Sequence, residues 1–201
     1  MSNDQQLFAA VTELSKLLRA YKVPHAFYGG ALRSLLGDDT PGSGGSRDLS
    51  CIVELGRSAQ TPHPFRRVRD AITASHEFTT SHSTWLTSSP QIEILPSGET
   101  GPRFLDKTSV MVIRNLPFLT VSEFVRAKLK TWVIGGQSKD AQDILYMLGR
   151  FWDHIDINRI PERDMLRFVS CNGAAAPAWS AIQTKYGVGA KSSKIAYGRA
   201  A

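Results

Sequence analysis

Cysteine is scarce in this chain: Cys51 and Cys171 are the only two among 201 residues. So few thiols build no disulfide framework, and a reducing compartment, the cytoplasm, is the expectation. Long apolar runs are missing as well. None approaches the roughly 20 residues that span a bilayer, so no membrane span is expected. Met1 to Gln6 lacks the basic-then-apolar pattern of a secretion leader. The five histidines, His25, His63, His76, His82 and His154, show no ligand spacing with the cysteines, which argues against a zinc site. Charge of one sign is not abundant either. The net +6 is spread over Arg66-Arg67-x-Arg69, Arg126-x-Lys128-x-Lys130 and a tail with Lys191, Lys194 and Arg199. No stretch interleaves basic with aromatic residues, which disfavours a nucleic-acid partner. What remains, 42% apolar and 21% charged, is the composition of a globular protein long enough to bury a full core.

Hydrophobic periodicity orders the chain. Leu7, Val11, Leu14, Leu18 and Tyr21 form one stripe of a helix over 5–21, with Asn3 or Asp4 as N-cap. Pro24 ends it, and His25–Tyr28 runs as a short strand into Gly29-Gly30 and a short helix. Residues 38–46 are turn-rich and read either as a lid or as a plain connection. A helix follows near 64–75, with Phe65, Val68 and Ile72 inward, then an irregular strand over 77–88 that carries Trp85. In Gln91–Leu95, Ile92 and Ile94 point one way and Glu93 the other. A carboxylate on so apolar a strand needs a partner or a cleft edge. Val110–Ile113 is a further strand, ending before Leu116-Pro117. Thr120-x-x-Glu123 reads as a capping box opening a helix to Ile134, stopped by Gly135-Gly136. Ser138 is expected to cap the next helix, and helices near 162–170 and 175–186 complete the chain before an aperiodic tail. The expected organisation is a core over 1–118, a helical part over 119–187 and a flexible basic tail over 188–201.

Two stretches carry chemistry. Phe27-Tyr28-Gly29-Gly30-Ala31-Leu32-Arg33 is a strand-to-helix turn whose glycines leave backbone N–H groups free to face an anion. Ser46-Arg47-Asp48-Leu49-Ser50 then opens a strand with an acid able to hold a divalent cation beside that anion. In this order and context Gly29-Gly30-x-x-Arg33 and Leu35-Leu36-Gly37 resemble the glycine motif of the nucleotidyltransferase superfamily, in its tRNA nucleotidyltransferase and poly(A) polymerase branch. The resemblance covers about residues 5–150 and implies an α/β fold: a small mixed sheet flanked by helices, with a C-terminal helical extension. Members carry Asp-x-Asp on the strand and a third carboxylate on a later one. Asp48 matches the first and Glu93 the third; position 50, where the second Asp belongs, is Ser50.

Arg126-Ala127-Lys128-Leu129-Lys130 followed by Lys139-Asp140-x-x-Asp143 is similar to the C-terminal signature of AbiEii-type nucleotidyltransferases and their fungal relatives. The resemblance implies a triphosphate-facing role for Lys128 and cleft-lining roles for Lys139, Asp140 and Asp143. The bland alternative is that Asp143 pairs with a basic residue and pins two helices together.

Strand geometry aims residues 48 and 50 at the same place. A hydroxyl there supplies no charge to offset two magnesium ions, and losing one anion costs several kcal/mol of metal binding, by order of magnitude. Asp38 and Asp39 stand in the adjoining connection as candidate substitutes. The expectation is therefore a repurposed, metal-independent small-molecule enzyme without a cofactor, guiding a cyclisation or similar rearrangement. The alternatives are an active nucleotidyltransferase using Mg²⁺ and NTP, and a non-catalytic protein binding nucleotide or a partner. Asp48, Glu93 and Lys128 are the candidate catalytic groups. Tyr28, Gly29, Gly30, Arg33, Ser50, Trp85, Trp132 and Asp143 are the candidate substrate-binding residues. Cys51 reads as a core residue, and His25 as core or surface.

Overall fold

The computed structural model describes residues 3–37, 49–54, 64–74, 92–99 and 101–188. The chain forms two compact units, Met1–Phe124 and Val125–Ala201, each taken in turn.

The first unit opens with helix α1, Asn3–Ala20, whose buried stripe is Leu7, Val11, Leu14 and Leu18. The helix already includes Asn3 and Asp4, so neither sits outside it as a cap. Strand β1, His25–Gly29, is buried at every position. It leads into the six-residue helix α2, Gly30–Leu35. Strand β2 is Leu49–Val53, helix α3 Pro64–Thr73 and strand β3 Ile92–Pro96. Strands β4, Val110–Ile113, and β5, Leu116–Leu119, form a hairpin. All five make one mixed sheet in the order β3-β2-β1-β5-β4. β1 pairs antiparallel with β2 and parallel with β5, and β2 pairs parallel with β3. Val68 and Ile72 of α3 are buried, as their spacing requires, and α3 packs against α1.

β5 departs from the sequence expectation, which ended the sheet at Ile113. Pro117 sits inside β5 opposite Val112. The two-residue turn Arg114–Asn115, at φ 49° and 63°, makes Ile113 and Leu116 the closing hydrogen-bonded pair. Pro117 therefore falls on a non-hydrogen-bonded rung, and its missing N–H breaks nothing between β4 and β5.

Helix α4, Val121–Gly135, crosses from the first unit into the second. Thr120 precedes it as expected, and its carbonyl accepts from Phe124 N–H at 2.9 Å. Its hydroxyl, however, is buried without a hydrogen-bond partner among the described residues, so the reciprocal capping box is not made. Gly136, at φ 62°, supplies the left-handed stop. The second unit continues with α5, Ser138–Phe151; α6, Glu162–Cys171; and α7, Ala176–Lys185. Gln137, not Ser138, is the N-cap of α5, and no side chain caps it. Ser138 is one residue too far into the helix to do so. Pro161 precedes α6, where its fixed φ and missing N–H interrupt no helical bond. No helix among the described residues is long and apolar enough to cross a membrane.

Candidate functional site

Sheet register builds the first part of the site. Tyr28 on β1 lies opposite Ser50 on β2, and Ser50 lies beside Glu93 on β3. Directly paired residues share a face, so the three form one row across the sheet. Exposure rises along it: Tyr28 is buried, Ser50 half-buried and Glu93 exposed. Neighbours on the other face, Leu49, Cys51 and Ile92, are fully buried. Apolar packing on that face fixes the register, and a one-residue slip would turn Ser50 and Glu93 into the core. The Tyr28 ring packs edge-on against Phe124, with ring centroids 6.4 Å apart. The accessible end of the row is thus Ser50 and Glu93.

The row meets the Gly29–Gly30 turn through Tyr28. Gly29 has φ 115°, a conformation a side chain would strain, so glycine is required where β1 turns into α2. Arg33, one turn into α2, is buried. Asp48 and Trp85 lie outside the described residues, as do the 38–46 connection and the strand expected over 77–88. Among the described residues Ser50 and Glu93, one hydroxyl and one carboxylate, do not by themselves fit a two-magnesium centre, which needs several oxygen ligands and enough negative charge. Among the described residues no three acids, histidines or cysteines gather where they could hold a metal ion.

The second unit contains the other sequence-predicted cluster. Lys128 Nζ on α4 lies 3.0 Å from Asp140 Oδ1 and 2.9 Å from Asp143 Oδ2, both on α5. All three side chains are buried, Asp143 completely. Burial alone would depress the lysine, but the charges and hydrogen bonds of Asp143 and Asp140 outweigh it and raise its pKa above the ordinary value. Lys128 is therefore held as an ammonium, hydrogen-bonded to Asp140 and ion-paired with Asp143, and it pins α4 to α5. Asp140 sits in the first turn of α5, where the helix dipole favours an anion. Trp132, one turn beyond Lys128, packs edge-on against Phe168 of α6 at 4.9 Å, and the indole remains half-buried. Ser50 and Glu93 belong to the first unit; Lys128, Trp132 and Asp143 belong to the second.

Three further polar groups, His25, Glu54 and Cys51, are structural, Cys51 in the core as the sequence suggested and His25 in the core rather than on the surface. His25 is buried, its Nδ1 at 2.8 Å from the Val23 carbonyl and its Nε2 at 2.9 Å from the Ser15 hydroxyl. A carbonyl only accepts, so Nδ1 carries the proton and Nε2 accepts from Ser15. Desolvation lowers His25 to about 4; the Val23 bond opposes this and the charge of Arg19 adds to it. Glu54 is also buried and accepts the Leu105 N–H at 2.8 Å. Cys51 is fully buried, and desolvation pushes its thiol far above the ordinary range, which makes it inert.

No protein-family model matches the chain, and no curated protein matches it by sequence. Solved structures do match it by fold. An antigenic nucleotidyltransferase-like protein from Paracoccidioides brasiliensis superposes with a TM-score of 0.55 at 13% identity, over 87% of this chain and 92% of that one. The protein JHP933 from Helicobacter pylori superposes with a TM-score of 0.50 at 13% identity, over 90% and 81% of the two chains. At such identities the likeness is one of backbone architecture. The mixed five-stranded sheet and its flanking helices are those of a nucleotidyltransferase-like fold.

Proposed function

We propose that this chain puts a nucleotidyltransferase-like fold to a different use: a metal-independent enzyme whose substrate is a small organic molecule, held at the Ser50–Glu93 end of the sheet row. The observation that supports this is the register itself. Ser50 stands directly beside Glu93, so a hydroxyl occupies the place where paired strands would align a second carboxylate. A hydroxyl next to an exposed carboxylate can orient a polar group and exchange a proton with it, but it holds little positive charge. In this reading Glu93 is the acid–base group, Ser50 orients the substrate, and the Gly29–Gly30 backbone allows close approach. Asp48, two residues before Ser50 in the sequence, is the further candidate acid. Reactions that need only orientation and proton movement, such as a cyclisation or related rearrangement, suit such a site.

The competing reading is metal-dependent nucleotidyl transfer, favoured by the retained third-carboxylate position at Glu93. Calorimetric titration of the four NTPs, with and without Mg²⁺, separates the two, run in parallel on the wild type and Ser50→Asp. The expected result is no metal-dependent NTP binding by the wild type and its appearance in Ser50→Asp. Metal-dependent binding of one preferred NTP by the wild type would overturn the proposal.

A further inference from the structure

We infer that strand β4 is a docking edge for a partner protein: an extended segment, acidic at its N-terminal end, adds to the sheet antiparallel to β4. β4 ends the sheet order on the side away from β3, so no strand lies along its outer flank among the described residues. The ladder decides which backbone groups face that flank. Thr120 N–H donates to the Ser109 carbonyl at 3.0 Å, which makes these two a hydrogen-bonded pair. Alternating from there, Met111 and Ile113 turn their N–H and C=O groups towards β5, and Val110 and Val112 turn theirs away. The Asp106 carbonyl takes the Val110 N–H at 2.8 Å. The flank therefore offers the Val112 N–H and the carbonyls of Val110 and Val112.

Sheets are commonly guarded at their edges by charge or proline. β3, at the other end of the order, carries the exposed Glu93 and ends on Pro96. β4 reads Val-Met-Val-Ile and holds neither. Val112 is 68% exposed, and it shares a face with the half-buried Pro117 opposite, so an added strand finds an apolar rung to pack on. Charge selects the occupant. Two cations stand at the turn that ends β4: Arg114, over the Phe8 ring at 5.6 Å, and Arg19, which donates to the Asn115 carbonyl at 2.7 Å. Neither is paired with a carboxylate among the described residues. The acids at this end are committed elsewhere: Asp70 lies against Arg69, and Glu54 accepts the Leu105 N–H. Antiparallel addition sets the partner's N-terminal end beside Arg114 and Arg19, where acidic side chains complement them. A second copy of this chain fits less well. It would bring Lys107 towards each Arg114, and Asp106 is already held by Thr108 and Ser109.

Binding is read as fluorescence anisotropy of a labelled heptapeptide, two N-terminal glutamates followed by alternating valine and threonine, titrated with the full chain. Saturable binding by the wild type is expected. Val112→Pro should weaken it about ten-fold or more, because it removes the outward N–H. That N–H takes no part in the ladder to β5, and Pro117 already occupies the facing position, so thermal melts should show a folded variant. Arg114→Gly removes a cation at a positive φ that glycine adopts without strain. It should weaken binding about two- to five-fold and flatten its salt dependence. Methylating alternate peptide nitrogens of the probe should abolish binding for one alternate set and spare it for the other. No saturable binding overturns the inference, as does wild-type affinity in Val112→Pro or an equal effect of the two methylated sets. So does a dimer in sedimentation velocity that Val112→Pro abolishes, which would make the edge an interface between copies.

Discussion

The buried His25 should make this protein lose stability in mild acid, well before its carboxylates titrate. The imidazole is desolvated and fully used as a neutral ring, with Nδ1–H donating to Val23 and Nε2 accepting from Ser15. A second proton would have to sit on Nε2, where it would face the Ser15 oxygen with little solvent nearby. The folded pKa is about 4 against 6.5 for the free side chain. Because the folded value is the lower one, the unfolded chain binds the proton first. Stability is complete above about pH 6.5 and falls as pH drops from there towards 4. At about 1.4 kcal/mol per pH unit the full loss is about 3 kcal/mol, a large share of an ordinary domain's stability. Urea unfolding of the wild type at pH 7, 6, 5 and 4.5, paired with His25→Asn, isolates this contribution. Asparagine keeps a donor for the Val23 carbonyl but cannot titrate, and it strands the Ser15 hydroxyl. The variant should begin about 1–3 kcal/mol less stable at pH 7. Its curve should then run flatter, so that the two profiles converge towards pH 4.5. Parallel profiles across the whole range would refute the neutral, buried assignment of His25.

Other consequences are simpler. Lys128→Met should destabilise the protein by about 3–5 kcal/mol, because it leaves Asp140 and Asp143 buried without their shared cation. Replacing all three by apolar residues of similar volume should recover most of that loss; equilibrium urea unfolding reads both variants. Gly101→Ala should cost about 1–3 kcal/mol in the same assay, since the added Cβ would lie 2.1 Å from Ile52 Cδ1 in a packed interior. Thr120→Val should be neutral or stabilising, because the Thr120 hydroxyl is buried with no partner among the described residues. A loss above 1 kcal/mol there would show that the hydroxyl has a partner.

Much of the fold was legible because period and punctuation agree. The stripe through Leu7, Val11, Leu14 and Leu18 and the alternation at Ile92, Glu93 and Ile94 appear as read, but Tyr21, read as the stripe's last member, lies past the end of α1 and is exposed. β5 was illegible for a specific reason. Proline argues against a strand interior unless its position on the ladder is known, and that position is set by a turn made of Arg114 and Asn115 with no glycine to announce it. The caps failed for a related reason. Thr120 and Ser138 are good capping residues, but whether a hydroxyl reaches a backbone N–H depends on where the first helical residue falls. A displacement of one residue loses the bond at Ser138, whereas Thr120 stands directly before α4 and its hydroxyl still makes no bond among the described residues.

The site divides in the same way. That residues 50 and 93 stand side by side follows from strand order and register, which a sequence motif can suggest and only pairing can fix. The Lys128 cluster shows the opposite limit. The resemblance grouped Lys128, Lys139, Asp140 and Asp143, and the structure brings Lys128, Asp140 and Asp143 together, yet a motif is silent on whether a lysine faces a ligand or its own helix partners. Burial decides between those roles. An ammonium with two carboxylates within 3.0 Å in a closed helix pair is already neutralised, and a phosphate would have to displace those carboxylates to reach it. Ser50 and Glu93 carry no such commitment to each other, since neither brings a cation. Chemistry that needs a free polar group is therefore better sought at the open edge of the sheet than inside the helical pair.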